Sequence, residues 1–566
     1  MILAGCAQIV TPSGGKVDRD APKLVQALPA NNTTLFNASK IVLYFDEYIQ
    51  LKDAQKNIVI SPPLRTPATY TVKNKKLSIE ISDTLEKAAT YKINFGAAIA
   101  DITEGNTASN LSYVFSTGSF IDSLKISGKV QDSYTLKDDD HMLVALYHEE
   151  KASKDSFANK VLPSYFSYSA KDGSFEISNL KEGRYTLLAF ADLNSNFLLD
   201  EADEKVAFMD SVIELKTNRS LTQALLSFNS VPNKFFIKKE TQTRDHLTLA
   251  FNRIPTEQLY YQNIQQVSSF ASLDHSPNFD TVTFWYSANT RKLDSLNLII
   301  YQSKKKCLSK TCDCMELSNQ LKASDISTID TVDINLKKYK TGNQSSDRGK
   351  NANLQMAAVN LVANSKLKPS DYLQLASAVP LIAVDSSKIS IVQMKKPLAF
   401  SLVDFHAGDK KIKLRIQNNS DSLVQLTALP SAFESVNQQA FDTLNLSFTK
   451  MIVEDLSSLE LEITAPDSLK PYILLFRDEA GKTIHETTFV SKNTLHLSEL
   501  VPGKYSCMLI GDANRNGRWD AGSYHEKRQA ETVYYLNKDI ILKPNWDVKE
   551  EWNMRPANPT PPKSIR

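Results

Sequence analysis

The segment Leu77–Ile81 (LSIEI) decides the fold class, because apolar and polar side chains alternate along it with the two-residue period of a β-strand. The segments at 41–45 (IVLYF) and 91–95 (YKINF) are equally short and are rich in β-branched and aromatic residues. Pro, Asn, Asp and Gly bound such runs along much of the chain, which is typical of all-β sandwiches. Windows of about 12 residues lack the capped, amphipathic pattern of a helix, so we do not expect a parallel α/β architecture.

The length and charge of the chain restrict its class. Its 566 residues exceed what one hydrophobic core normally serves and predict roughly three to five domains. With 66 Lys and Arg against 64 Asp and Glu, the formal net charge is +2, so we expect no nucleic-acid partner. No apolar run reaches the roughly 18 residues of a membrane-spanning helix, so we expect none of the chain to cross a bilayer as a helix.

The N-terminal sequence Leu3-Ala4-Gly5-Cys6 resembles the lipobox of bacterial lipoproteins. The resemblance implies that the Cys6 thiol carries a diacylglyceryl group, which would attach the protein to a membrane. Five residues before Cys6 are too few for a signal peptide, so we expect the signal sequence to lie upstream. Residues 1–20 are therefore interpreted as a lipobox and a flexible polar tether, with a chance occurrence of the motif as the alternative.

The first module is predicted over residues 21–118. Its best-matched part is Asp101-x-x-x-Gly105-Asn106, which leads into the predicted strand at 113–118 (YVFSTG). This pattern resembles the bacterial immunoglobulin-like (Ig-like) domain of the S-layer (SbsA) type. The resemblance implies a seven-stranded sandwich used for spacing or binding, with no catalytic residues.

The second module is predicted over residues 119–217. Asp172-Gly173 is typical of a hairpin turn, since glycine accepts a positive φ where the chain reverses. The stretch from Gly183 to Tyr185 leads into an apolar strand. Together these features resemble the transthyretin-like or carboxypeptidase-regulatory-like sandwich.

A long-range repeat organises the rest of the chain. The motif LKEGRY at 180–185 recurs 320 residues later as LVPGKY at 500–505, and the correspondence continues without a gap into the following Asp-x-Asn-x-Asn stretch. The repeat predicts two copies of this sandwich, each preceded by Ig-like modules. The remaining predicted segments are a divergent Ig-like β domain at 218–337, a linker or long loop at 338–355, an Ig-like β domain at 356–453, the second transthyretin-like sandwich at 454–545 and a Pro-rich tail at 546–566.

The repeated Asp-x-Asn-x-Asn stretch is the sharpest chemical pattern. Oxygen side chains at alternate positions, with a further carboxylate four residues on, suit a hard cation, so calcium is a candidate cofactor although none is required. Both copies lack the glutamate of an EF-hand at the last position, where Asp203 and Ser523 stand. The alternative is that these side chains only close turns through hydrogen bonds to the backbone. The candidate ligands are Asp192, Asn194, Asn196 and Asp200 in the first copy and Asp512, Asn514, Asn516 and Asp520 in the second.

Three cysteines lie close together in the middle of the chain, at Cys307, Cys312 and Cys314. A disulfide within this loop is one interpretation. Free thiols and a metal site are the other two interpretations. A zinc site is the weakest of the three, because it usually needs four Cys or His ligands and no histidine is nearby.

No catalytic residues are predicted. The eight histidines are scattered and form no zinc-binding or triad pattern, so we expect the protein not to be an enzyme, and an unfamiliar catalytic constellation in 219–453 is the minor alternative. The chain resembles Ig-like-domain envelope lipoproteins of diderm bacteria. This predicts a lipid-anchored outer-membrane scaffold or accessory with an envelope protein partner, on a periplasmic or surface face that stays undecided. The alternative is a glycan-binding surface lipoprotein attached to a polysaccharide uptake system.

Overall fold

The computed structural model describes most of the chain. Cys6, the cysteines at 307, 312 and 314, and the predicted linker at 338–355 lie outside the described residues. The described residues are 19–108, 111–152, 157–200, 204–230, 235–255, 258–263, 270–276, 280–287, 289–290, 293–303, 326–336, 359–361, 366–417, 423–436 and 441–554.

The chain divides into two compact units. The first unit comprises Met1–Val231 and Trp519–Val533, and the second comprises Pro232–Arg518 and Tyr534–Arg566. The regular secondary structure of the described residues is almost entirely β-strand, which confirms the all-β class of tandem sandwiches. None of the helices in the described part of the chain is long and apolar enough to span a membrane.

The first sandwich (residues 19–118) buries the alternating face that its sequence pattern predicts. Ile41 pairs with Ile79 and Leu43 with Leu77 across neighbouring strands, and all four side chains are inaccessible to solvent. One sheet contains, in spatial order, Leu24–Leu28, Lys40–Phe45, Lys76–Glu80 and Thr69–Lys73. A second contains Val59–Ser61, Thr90–Asn94 and Ser112–Ser116, a third pairs Ile49–Leu51 with Ile99–Asp101, and Ala54–Asn57 forms one helical turn.

Asp101 organises the turn that the sequence pattern marked. Its carboxylate accepts hydrogen bonds from the backbone N–H groups of Glu104, Gly105 and Asn106 at 2.7–2.9 Å. Burial would raise the pKa of the Asp101 carboxyl, but these hydrogen bonds lower it below its ordinary value. Gly105 has a φ of +79°, which explains the need for glycine there.

The second sandwich (residues 119–230) has one strand that is buried on both faces. Along Leu143–His148, Val144 and Leu146 belong to an inner apolar cluster with Ile126 and Leu187. Ala145 and Tyr147 belong to a second apolar cluster with Phe190 and Phe228, called the outer cluster below. The sheet runs, in spatial order, Tyr165–Tyr168, Leu143–His148, Gly183–Phe190, Lys205–Phe208, Leu225–Asn229, Leu124–Asp132 and Ser174–Leu180. Ile213–Leu215 pairs with Gly183–Phe190, Arg219–Ser220 pairs with Leu124–Asp132, and Phe157–Asn159 forms a 3-10 turn.

The turn at Asp172-Gly173 forms, with Gly173 at a φ of +72°. The flanking strands do not pair with each other as in a hairpin: Tyr165–Tyr168 pairs with Leu143–His148, whereas Ser174–Leu180 pairs with Leu124–Asp132. The turn therefore connects the two ends of the sheet path.

The segment 519–533 completes the outer cluster of the first unit. Tyr524 and Ala530 pack against this cluster, and Gln529 donates hydrogen bonds to the carbonyl of Phe208 at 3.0 Å and to Asp210 at 2.9 Å. Gly522 lies so close to the Phe228 ring that a Cβ atom there would be 2.2 Å from it. Only glycine fits at this contact without a shift of the ring.

In the second unit, two sandwiches precede the last one. The alternation rule holds here as well, since Leu247 pairs with Phe284 and Leu249 with Val282, all buried. The first of these contains Ile237–Gln242, His246–Phe251, Thr281–Tyr286 and Phe270–His275 in one sheet and Gln258–Asn263, Ser295–Ser303 and Ile326–Asn335 in another. The next sandwich has three sheets. The first contains Val359–Leu361, Leu373–Ser377, Lys411–Ile416 and Phe400–Val403, and the second contains Lys366–Leu367, Leu444–Lys450, Val424–Ala428, Ile389–Gln393 and Lys396–Pro397. The third pairs Leu381–Val384 with Phe433–Ser435, and the 3-10 turns are Ser386–Lys388, Pro430–Ala432 and Val453–Asp455.

The last sandwich repeats most of the strand pairs of the second one, although its strands form two sheets instead of one continuous path. Its final strand, Asp547–Asn553, pairs in parallel with its first, Ser457–Thr464, as Leu225–Asn229 pairs in parallel with Leu124–Asp132. The buried thiol of Cys507 is free, and burial raises its pKa to about 12, so it is inert at neutral pH. One sheet of this sandwich contains Lys492–Leu500, Ser457–Thr464 and Asp547–Asn553. The other contains Thr483–Val490, Pro471–Asp478, Gly503–Gly511 and Val533–Tyr535, and Ile540–Leu542 also pairs with Gly503–Gly511.

Candidate functional site

A groove of about 740 Å³ opens in the first unit where its two sandwiches meet. The edge strand Val59–Ser61 and the loop after Gly183–Phe190 contribute to its walls. Hydrogen bonds tie the two sandwiches together beside it: the Phe166 N–H donates to Ser61 Oγ at 3.0 Å, and Lys92 Nζ donates to Ser178 Oγ at 2.7 Å. The walls are therefore held in place by directional contacts, which favours a preformed site.

The groove combines an apolar floor with charged groups. Ile58 and Ile60 are buried beneath it, and Leu193 at its rim is 65% exposed. A large concave surface of this mixed character is the usual setting of a ligand site. The side chains that define its chemistry are Ile58, Ile60, Leu64, Tyr70, Tyr168 and Phe197, with Lys56, Asp140, His141 and Asp192 as the charged or titratable groups.

Two tyrosines line the groove in similar environments. Burial raises the pKa of Tyr70 and that of Tyr168 to about 12, with the nearby Asp192 carboxylate adding to the effect at Tyr168. Both phenols are therefore neutral at physiological pH and can donate and accept hydrogen bonds. Within the described part of the chain, neither hydroxyl has a hydrogen-bond partner.

The first Asp-x-Asn-x-Asn loop forms part of the groove wall. The two carboxylate oxygens of Asp192 accept the N–H groups of Asn196 at 3.1 Å and Phe197 at 3.0 Å. The side-chain amides of Asn194 and Asn196 donate to the Asp200 carboxylate at 3.1 and 2.7 Å. The structure therefore brings all four predicted residues together. Burial raises the pKa of Asp192, even though the backbone hydrogen bonds oppose this.

Glu204 is a central member of this loop that the sequence did not reveal. Its side chain is buried, and its two oxygens accept the N–H groups of Leu193 at 3.2 Å and Asp200 at 3.1 Å. The signal available in the sequence was a glutamate four residues after Asp200, the last candidate ligand of the loop. It was overlooked because it falls one position beyond the EF-hand spacing.

The second loop repeats the backbone hydrogen bonds of the first. Asp512 accepts the N–H groups of Asn516 at 2.9 Å and Gly517 at 3.0 Å, and Asn514 also accepts from Asn516. Within the first unit, the N–H of Asp520 donates to Glu531 at 3.0 Å. Glu531 thus takes the role of Glu204 at a different distance along the chain.

Hydrogen bonding alone can account for the oxygen-bearing residues that recur in both loops, and no bound ion is needed to explain them. In each loop the first three of these side chains accept backbone N–H groups in a tight turn, as short polar side chains do readily. Asp200 accepts the side-chain amides of Asn194 and Asn196 instead. Among the described residues, no group of three or more His, Cys, Asp or Glu side chains is placed to hold a metal. Asparagine and backbone oxygens also bind calcium, so calcium in these loops stays a prediction.

The first sandwich has a match among known protein families. Residues 18–117 match the model of the bacterial Ig-like domain, so the chain carries such a domain at this position. Domains of this family occur in bacterial surface proteins. No curated protein matches the chain.

Several solved structures match the chain at very low identity and low TM-score. The major pilin subunit of Bacillus cereus is 10% identical, with 76% of this chain and 99% of the pilin covered and a TM-score of 0.13. The S-layer protein rSbsC is 8% identical, with 92% and 66% covered and a TM-score of 0.15. A glucan-utilisation protein of Bacteroides ovatus (SGBP-B), solved with a mixed-linkage heptasaccharide, is 10% identical, with 73% and 91% covered and a TM-score of 0.18. At these TM-scores, none of the three supports a functional conclusion.

Proposed function

We propose that this protein is a lipid-anchored, non-enzymatic scaffold of the bacterial cell envelope that binds its ligand in the groove of the first unit. The observation that carries the proposal is the groove itself, which two hydrogen-bonded sandwiches form directly after the predicted tether. A preformed site lowers the ordering cost of binding, so a rigid pair of modules suits a receptor or adaptor. The bacterial Ig-like domain at 18–117 is consistent with an extracytoplasmic setting.

The lipid anchor is tested with Cys6→Ser, because serine has no thiol to form the thioether. The gene is expressed with its upstream region in a diderm host, and the envelope fractions and the N-terminal peptide mass are measured. We expect the unchanged protein in the membrane fraction with a diacylglyceryl mass and the variant in the soluble fraction. Ser13→Ala is the matched control in the tether and is expected to stay membrane-bound. A Cys6→Ser variant that remains in the membrane would disprove anchoring through this residue.

The role of the groove is tested with Leu193→Lys, which places a long cation at the rim. Leu193 is 65% exposed, so the variant should fold normally. Leu35→Lys is the control, since Leu35 is 68% exposed and is not a groove residue. Each protein is purified from detergent-solubilised envelopes after chemical cross-linking, and co-purifying envelope proteins and glycans are both quantified by mass spectrometry. We expect a component to co-purify in stoichiometric amount with the unchanged protein and with Leu35→Lys, and to be lost with Leu193→Lys. Equal recovery with both variants would rule out the groove as the binding site.

A further inference from the structure

The two groove tyrosines indicate a ligand rich in hydroxyl groups. A half-buried phenol that lines a cavity offers one hydrogen-bond donor and one acceptor to whatever fills that cavity. Tyr70 and Tyr168 have no hydrogen-bond partner among the described residues, and both line the same cavity. A ligand that fills the groove can therefore satisfy two donors and two acceptors that the protein leaves open.

The rest of the lining restricts the ligand further. Ile58, Ile60 and Leu64 form an apolar surface on which the C–H faces of a ring can pack. Asp140 and Asp192 offer carboxylate oxygens to hydroxyl donors, and the Asp192 carboxylate retains acceptor capacity beyond its backbone bonds. Two carboxylates against a single lysine disfavour an anionic ligand.

A polypeptide fits this lining less well. Peptides that extend a sheet need a run of backbone groups along an exposed strand edge. The edge strand at the groove, Val59–Ser61, is three residues long, and Ser61 is already engaged with Phe166. The groove therefore offers hydroxyl partners and an apolar floor but little backbone edge.

We infer that the groove binds a neutral oligosaccharide. This inference rests on the proposed binding role of the first unit and names the chemical class of its ligand. Sugar hydroxyls would pair with Tyr70, Tyr168 and Asp192, while the ring faces would pack on the isoleucines and Leu64.

The test is isothermal titration of the full-length protein in detergent with four neutral hexasaccharides: maltohexaose, cellohexaose, mannohexaose and xylohexaose. Hexagalacturonate is the anionic comparison. We expect at least one neutral hexasaccharide to bind at least about tenfold more tightly than hexagalacturonate. Tyr70→Phe and Tyr168→Phe, which keep the ring and remove the hydroxyl, should each weaken that binding about three- to tenfold, the effect of one lost hydrogen bond. Tyr48→Phe is the matched control, since Tyr48 is 55% exposed and is not a groove residue.

The variants are first compared by thermal unfolding, and Leu193→Lys serves as an obstructing variant if either Phe variant unfolds early. Absence of binding to all four neutral hexasaccharides overturns the inference, and so does binding that is unchanged by every groove variant. Selection of a tight-binding peptide that needs Tyr70 and Tyr168 would also overturn it, in favour of a polypeptide ligand. Each of these results leaves the fractionation of Cys6→Ser unchanged, so failure of the sugar inference is distinguishable from failure of the anchored scaffold.

Discussion

The two copies of the repeat share most of their strand pairs but differ in the connection that leads from the Asp-x-Asn-x-Asn loop back to the sheet. Gly183 pairs with Leu215 and Gly503 pairs with Leu542, so the interval is 32 residues in the first copy and 39 in the second. The longer interval contains the segment 519–533, which packs in the first unit. A repeated sandwich can therefore preserve most of its strand pairs while one connection acquires a separate packing role.

The loops themselves show that backbone geometry is retained more strictly than residue type. Ser195 and Phe197 have φ of +59° and +63°, and the matching Arg515 and Gly517 have +59° and +76°. The first copy thus places a phenylalanine where the second uses glycine. Phe197 packs against Phe166 with ring centroids 4.9 Å apart, which offsets the cost of the left-handed conformation.

The largest effect should come from Gly522→Ala. The added Cβ would lie 2.2 Å from the buried Phe228 ring, and we expect a loss of about 3 kcal/mol in the stability of the first unit. Gly503→Ala is the matched control, because its Cβ would meet nothing closer than 4.0 Å and its φ is ordinary. Calorimetry of the full chain measures both. Equal unfolding midpoints for the two variants would show that segment 519–533 does not pack on Phe228.

The next largest loss of stability should come from the buried glutamate of the first loop, Glu204, and should exceed the loss from Glu531 of the second loop. Glu204→Ala leaves the N–H groups of Leu193 and Asp200 without their buried acceptor and should cost about 2 kcal/mol. Glu531→Ala should cost about 1 kcal/mol, because Glu531 is only half-buried and water can replace it. Glu176→Ala, which breaks an exposed ion pair with Lys125, is the control and should change stability little. Chemical unfolding followed by fluorescence measures all three, and a larger loss for Glu531→Ala would reverse the comparison.

A smaller effect is expected for Gly517→Ala. Nothing lies within 4 Å of the added Cβ, so the cost comes only from the left-handed backbone and should be about 1 kcal/mol. Gly481→Ala has the same kind of surroundings at a φ of +79° and should lose a similar amount. Hydrogen exchange of the loop amides reports the local change. Unaltered exchange in Gly517→Ala would mean that the loop adopts another conformation in solution.

Calcium should produce the smallest effect. A weak site with a dissociation constant of about 1 mM would stabilise the protein by roughly 1 kcal/mol at about 10 mM calcium. We expect the unfolding midpoint to rise by a few degrees at most and to return on chelation, with Asp192→Asn and Asp512→Asn each reducing the rise. An unchanged midpoint would assign both loops to hydrogen-bonded turns alone.

The sequence predicted the sheet-forming segments and both loops because these depend on local pattern. The alternation at 77–81 places Leu77 and Ile79 in the core, and the recurring Asp and Asn residues form the turns that their side chains favour. The groove was not predictable, because Tyr70 and Tyr168 belong to different modules and nothing in either segment marks the other. The contact of Gly522 with Phe228 was hidden for the same reason, since about 290 residues separate them.

The position of segment 519–533 also affects when the protein can be completed. Chains fold as they are synthesised, and N-terminal domains usually finish first. Here the outer cluster of the first unit lacks Tyr524 and Ala530 until segment 519–533 has been made, and the last sandwich awaits Asp547–Asn553. The second sandwich (residues 119–230) therefore reaches its final packing only after the intervening sandwiches have been made, and a product truncated before segment 519–533 would leave the outer cluster open to proteases.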